Sequence, residues 1–163
     1  MLIHNVGVVT RVCVIGSVNM DIGFDVDILP QPGETALAST VRSTPGGKGA
    51  NQAVAAARAG ADVQFVGAVG QDAAAAALRD HLHANGVGTA GLVTLPGRSG
   101  NAAVIVDSHG ENIIVVAPEA NGRLTFDADT LGGLVADSDV VLLQLEIRIA
   151  TAKAAAPGFP KAC

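Results

Sequence analysis

The apolar positions of this chain fall into two kinds of run, and the order in which they alternate predicts the architecture. Residues 12–16, Val-Cys-Val-Ile-Gly, form a short continuous apolar stretch of the kind expected for a strand buried on both faces. A polar tip, Ser17 to Asp21, follows just beyond it. Phe24, Val26 and Ile28 then alternate with Asp25 and Asp27, the period of a half-exposed strand. Pro30, Pro32 and Gly33 turn the chain before a weaker extended segment near residues 36–42. This region reads as a small flap beside the main core.

From Gly49 to Ala59 the spacing becomes helical: Ala50, Ala53, Val54 and Ala57 share a face, and Gly60 stands where a helix C-cap belongs. Residues 63–69 give the next strand. Asp72 is placed to cap a second helix in which Leu78 and Leu82 share a face, with Arg79, His81 and His83 late in it and Gly86 past its end. Strand, helix, strand, helix predicts a parallel sheet covered by helices. Extended runs at 102–106 and 113–117, joined by the polar residues 107–112, predict a hairpin. Asp127 is placed to cap a third helix carrying Leu131, Leu134 and Val135, kept short by Gly132 and Gly133. Residues 140–145 predict a second fully apolar strand ending at Glu146. A last helix begins near Ile149 and is stopped by Pro157, Gly158 and Pro160.

Composition narrows the class. The 163 residues are 49% apolar and 15% charged, enough for one domain with a core and too few for two ordinary ones. With four Phe and no Trp or Tyr, the core is built of small side chains that pack closely but bury little area each. A net charge of −5 argues against a nucleic-acid surface. Cys13 and Cys163 belong to no metal or CxxC pattern, so a reduced, cytoplasmic protein is expected. The amino terminus lacks a basic n-region, and no stretch approaches the roughly 18 apolar residues of a membrane span, so neither a signal peptide nor a membrane partner is expected.

Candidate chemistry centres on Gly46-Gly47-Lys48-Gly49-Ala50-Asn51, directly ahead of the first helix. Glycines allow the backbone to approach a ligand at a helix start, while Lys48 offers a cation and Asn51 both donor and acceptor. Asp21 and Glu146 each follow an apolar strand, at the end where open parallel sheets collect ligands. A carboxylate can accept from two neighbouring hydroxyls, and Asn19 adds a donor and an acceptor beside Asp21. Taken singly, a post-strand Asp is a turn or cap residue and a Gly-Gly pair a plain turn. Taken together at one end of a sheet, these residues make a candidate sugar pocket.

Other motifs fit less well. A Walker loop needs Ser or Thr after its Lys, and Lys48 is followed by Gly49. A dinucleotide fingerprint needs three spaced glycines after a strand, and Gly16 is followed by Ser17, Val18 and Asn19. His4, His81, His83 and His109 form no metal pattern, and no nucleophile-elbow Ser motif occurs.

The chain resembles the ribokinase-like (PfkB-type) carbohydrate kinases. The resemblance rests on Gly16-Ser17-Val18-Asn19-Met20-Asp21, Pro32-Gly33-Glu34-Thr35 and the run from Gly46 to Ala53. It continues through Gly67-x-x-Gly70-x-Asp72, Gly110-Glu111-Asn112 and Leu143-Gln144-Leu145-Glu146. Lys48 and Asn51 place the loop nearer the ribokinase branch than the fructokinase branch. The resemblance covers residues 12–156. It implies an α/β three-layer sandwich with a small β lid, truncated after the amino-terminal half, in which residues 1–156 form the sugar-binding part and 157–163 an aberrant tail. Segments 22–43 and 93–117 would supply the lid, which would pair two subunits.

The family's activity is ATP-dependent phosphorylation of ribose or a related pentose to the 5-phosphate, with Mg and a monovalent cation. By motif, Asn19, Met20, Asp21, Gly47, Lys48, Gly49, Ala50, Asn51 and Glu146 would form the substrate site. The family's nucleotide half, with a G-A-G-D segment carrying the base, lies downstream of this sequence, so no catalytic residue is assigned. A non-catalytic sugar-binding module and the non-functional product of a disrupted kinase gene are the alternatives. Two departures stand out: Glu119 occupies the Gly position of a Gly-Ala-Asn triplet, and Arg148 the position of a Pro.

Overall fold

The computed structural model describes residues 9–159; segments 1–8 and 160–163, with His4, Cys163, the amino-terminal leader reading and part of the Pro-containing tail, lie outside the described residues. The elements run β1 (Arg11–Ile15), β2 (Asn19–Asp25), β3 (Thr40–Gly46), α1 (Lys48–Arg58), β4 (Asp62–Val69), α2 (Ala73–Ala84), β5 (Val87–Thr94), β6 (Gly100–Val106), β7 (Asn112–Ala117), α3 (Ala128–Ala136), β8 (Val140–Leu143) and α4 (Ile149–Ala155). None of the described helices is long and apolar enough to cross a membrane.

Two four-stranded sheets share the work. The core sheet has the order β5-β4-β1-β8 and is parallel throughout. Alternation along β1 sorts its side chains: Val12 and Val14 join Phe65, Leu78, Leu82, Ala53 and Val54 under α1 and α2. Cys13 and Ile15 join Val66, Ala68, Leu131, Val135 and Ala155 under α3 and α4 on the other face. Helices on both faces make the three-layer sandwich. Burial pushes the Cys13 thiol up to about 11, which leaves it a small inert hydrophobe.

The second sheet, order β3-β2-β6-β7, is mixed: β2 and β6 run parallel while β3 and β7 run antiparallel to their neighbours. It forms the β lid. It starts earlier than the alternation of Phe24, Val26 and Ile28 predicts, because Asn19 and Asp21 lie inside β2 and not on a free tip. The partner of β2 is residues 40–46, running into the glycine loop, and not 36–42. Residues 93 and 94 close the core strand β5, so the second part of the lid begins at Gly100.

The caps fall as predicted. Asp72 accepts a hydrogen bond from the Ala75 amide at 3.1 Å, Asp127 one from Asp129, and Gly60 takes φ +95° past α1. Strand β5 was not foreshadowed by the alternation, since Gly88, Ala90 and Gly91 dilute its apolar signal. The final strand is shorter and more exposed than a fully apolar run suggests. β8 is an edge strand among the described residues; Gln144 beyond it is buried, and Leu145 is 70% exposed.

Candidate functional site

The cleft lies where the core sheet hands over to the lid. Strand order reverses between β4 and β8 on either side of β1, and open α/β sheets bind ligands beyond the carboxyl ends of strands at such a switch. Residues 16–18 carry the chain from β1 into β2, and the start of α1 packs hard against them. A Cβ on Gly49 would come within 2.8 Å of the Gly16 backbone, and one on Gly47 within 2.8 Å of the Asn19 nitrogen. Gly47 also takes φ +92°, so both contact and conformation demand glycine there. The glycine loop therefore brings the first turn of α1 against the entry to β2.

A cleft of about 360 Å³ results, lined by Asn19, Asp21, Gly47, Lys48, Asn51 and Glu146 on its polar side. Ala102, Val104, Ile114 and Val116 of the lid close the other side. Two larger hollows among the loops at the far end of the lid gather none of this chemistry. Met20, Gly49 and Ala50, also predicted for the site, do not line the cleft. Alternation turns Met20 to the opposite face of β2 and against the core, Ala50 is buried on the core-facing side of α1, and Gly49 serves the backbone contact just described.

The carboxylates are held in opposite electrostatic states. Asp21 has one oxygen, Oδ1, buried without a hydrogen-bond partner among the described residues. Burial first, and the charge of Glu146 second, raise its carboxyl above the usual range. Burial pushes Glu146 the same way, but hydrogen bonds from Lys48 and Ser17 and the charge of Lys48 outweigh it and hold Glu146 below its usual range. Ser17 Oγ donates to Glu146 Oε2 at 2.7 Å, Lys48 Nζ pairs with Oε1, and Gln144 Nε2 donates to Ser17 at 3.1 Å. The cleft thus presents one satisfied anion and one waiting for donors. Vicinal hydroxyls on a ligand are donors of that kind.

Ser17, Gln144 and Asn121 stand inside the motifs of the resemblance without a site role there, and the four apolar lid residues carry none either. A buried amide within the run 140–145 was the available sign for Gln144. The Gly67-x-x-Gly70-x-Asp72 motif has a further role beyond the cap: Asp72 also accepts from the Ser99 amide at 2.9 Å and hydroxyl at 2.7 Å, fixing the entry to β6. Those bonds from Ser99 outweigh the burial that would raise its carboxyl and hold it low. Arg148, in place of a proline, donates to the Arg123 and Leu124 carbonyls.

The profile of pfkB family carbohydrate kinases matches residues 9–156. The chain belongs to that family. It is 45% identical over 139 residues to the ribokinase of Bacillus subtilis, covering 84% of this chain and 47% of the relative. It is 36% identical over 145 residues to that of Haemophilus influenzae, covering 88% and 47%. Among solved structures, Thermotoga maritima ribokinase superposes with a TM-score of 0.80 at 33% identity, over 93% of this chain and 50% of that one. Arabidopsis thaliana ribokinase complexed with ribose and ATP superposes with a TM-score of 0.76 at 33% identity, over 94% and 52%. The chain spans about half the length of the curated relatives it matches. These matches bear out the fold read from the motifs.

Proposed function

We propose that the cleft binds ribose or a related pentose, and that this chain is the sugar-binding portion of an enzyme that phosphorylates it at the 5-hydroxyl. Asp21 supports this: a carboxylate with a buried oxygen unpartnered among the described residues, in one cleft with Asn19, Lys48, Asn51 and Glu146. A sugar supplies the missing donors, and its C–H face fits the wall of Ala102, Val104, Ile114 and Val116. The Arabidopsis relative complexed with ribose and ATP supports the substrate class. In this reading Asp21, Asn19 and Glu146 orient the hydroxyls, and the lid excludes water. Calorimetry of the chain with D-ribose is expected to show saturable binding; absence of heat at millimolar ribose would refute the proposal.

ATP, Mg and a monovalent cation complete the family's reaction, ATP supplying the phosphoryl group. The described residues of the cleft fit neither Mg nor the phosphates of ATP. No three His, Cys, Asp or Glu side chains among these residues converge on a metal position. The cleft's one described cation, Lys48, is already paired with Glu146. The role proposed for these residues is therefore binding and orientation, and the isolated chain is expected to form no ribose 5-phosphate from ATP in a coupled assay. Turnover there would overturn this part of the reading.

The face of the lid turned away from the cleft supports the pairing of two subunits. Register aligns Val41, Phe24, Ile105 and Ile113 in one cross-strand row, with Ile22, Ala103 and Val115 in the next. Val41 is 63% and Val115 64% exposed, a contiguous apolar surface of the kind that marks an interface. Sedimentation is expected to give a dimer, and Val115→Asp a monomer; a monomeric native chain would count against it.

A further inference from the structure

Asn121 does not line the cleft, yet three hydrogen bonds aim it at the site. It lies in the 3-10 turn Asn121–Arg123 that follows the last lid strand, and it is 1% exposed. Its Oδ1 accepts from the Val18 amide at 3.1 Å, and its Nδ2 donates to the Val18 carbonyl at 3.0 Å and to Asn19 Oδ1 at 2.8 Å. A backbone N–H can only donate and a carbonyl can only accept, so Val18 fixes which end of the Asn121 amide is oxygen and which nitrogen. Asn121 Nδ2 then requires an acceptor from Asn19, which fixes the Asn19 amide in turn. Asn19 Nδ2, bonded to no described residue, is left as the donor available to the cleft beside the acceptor Asp21.

The same side chain joins the two ends of the lid. Val18 lies in the crossing from β1 into β2, and Asn121 lies just after β7 leaves the lid. Bonding both backbone groups of Val18 imitates a rung of a β-ladder between these connections. Gly100 shows how tight the pair is: a Cβ there would lie 2.1 Å from Asn121 Nδ2 and 2.3 Å from Asn19 Oδ1.

We infer that Asn121 is a positioning residue of the sugar site, holding Asn19 with its amide N–H groups toward the ligand while pinning the lid's first connection to its last. The inference rests on the ribose reading above. In Asn121→Asp an anionic oxygen faces Val18 O and Asn19 Oδ1, and the Asn19 amide turns over to donate to it. The cleft then presents two neighbouring acceptors where it had a donor and an acceptor.

The test is a double-mutant cycle read as ribose affinity, using the whole chain, Asn121→Asp, Asn19→Ala and the double variant. Asn121→Asp is expected to weaken ribose binding about tenfold in the native background and less than about twofold beside Asn19→Ala. Equal losses in both backgrounds would make Asn121 a structural residue and overturn the inference with the ribose reading intact. Failure of the native chain to bind ribose would instead remove the ribose reading itself. Should Asn121→Asp not fold, side-chain amide exchange in the native chain decides. The Asn121 NH2 protons are expected to exchange at least about tenfold more slowly than those of exposed Asn51, and equal rates would overturn the inference.

Discussion

Asp21→Asn separates stability from binding in this site. The native carboxylate carries a charge into a half-buried position, leaves Oδ1 without a partner among the described residues and faces Glu146 across the cleft. Asparagine keeps the shape and removes the charge. Leaving a buried acceptor unsatisfied costs about 1–3 kcal/mol, and an open cleft places the charge-dependent share near the low end. Asp21→Asn should therefore stabilise the free chain by on the order of 1 kcal/mol, or about 2–4 °C in melting temperature at this size. The sign with pH follows from the raised carboxyl. The folded state holds a proton that the unfolded state releases, so native stability falls as pH rises from the ordinary Asp value of about 3.9 through the raised one. The advantage of Asn is thus small in acid and full at neutral pH.

Ribose reverses the order. Hydrogen bonds to a charged acceptor contribute about 1.5–3 kcal/mol, roughly twice the neutral kind, so the variant should bind ribose at least about tenfold more weakly. Scanning calorimetry at pH 4 and pH 7 gives the first quantity and titration calorimetry the second. A variant that melts below the native chain at pH 7, or that binds ribose equally well, would show that Asp21 is not an anion held in reserve for donors.

Three further outcomes test the geometry around it. Gly47→Ala combines φ +92° with a 2.8 Å clash and should cost about 3 kcal/mol in urea unfolding, whereas Gly60→Ala, at φ +95° with open space, should cost about 1 kcal/mol; similar losses would refute the packing of α1 on residues 16–19. Glu146→Gln removes a carboxylate held low by Lys48 and Ser17, so the native chain's stability advantage, below about 1 kcal/mol, should exist above the ordinary Glu value near 4.3 and vanish as pH falls through the depressed one, which melting curves across pH can follow. Glu119 takes φ +45°, and the pair it makes with Arg123 at 3.8 Å is half-exposed, so Glu119→Gly should melt above Glu119→Ala by an amount equivalent to about 1 kcal/mol. An alanine variant that melts as high as the glycine one would mean that no left-handed strain is stored there.

What the sequence made legible follows from the range over which each signal acts. Asp72, Gly60, Leu78 and Leu82 were readable because caps and helical faces are set by neighbours within a turn or two. The polar residues of the cleft were readable because strand ends and helix starts mark where parallel sheets bind ligands, and the motifs tied Asn19, Lys48 and Glu146 to that end. Strand β5 was lost because its glycines weaken alternation, and its place is set by pairing with β4. The limits of the lid were misplaced for a related reason: Asn19 and Asp21 look like a polar tip after β1, but pairing with Gly46 and Thr44 on one side and Gly100 and Ala102 on the other makes them strand. Asn121 is visible in the sequence only as the last residue of the triplet that Glu119 opens, and that motif gives it no role. Its role comes from Val18 and Asn19, about a hundred residues away and brought beside it only when both sheets have formed. A residue that fixes another residue's amide has no spacing of its own to read, so its role exists only in the folded pair.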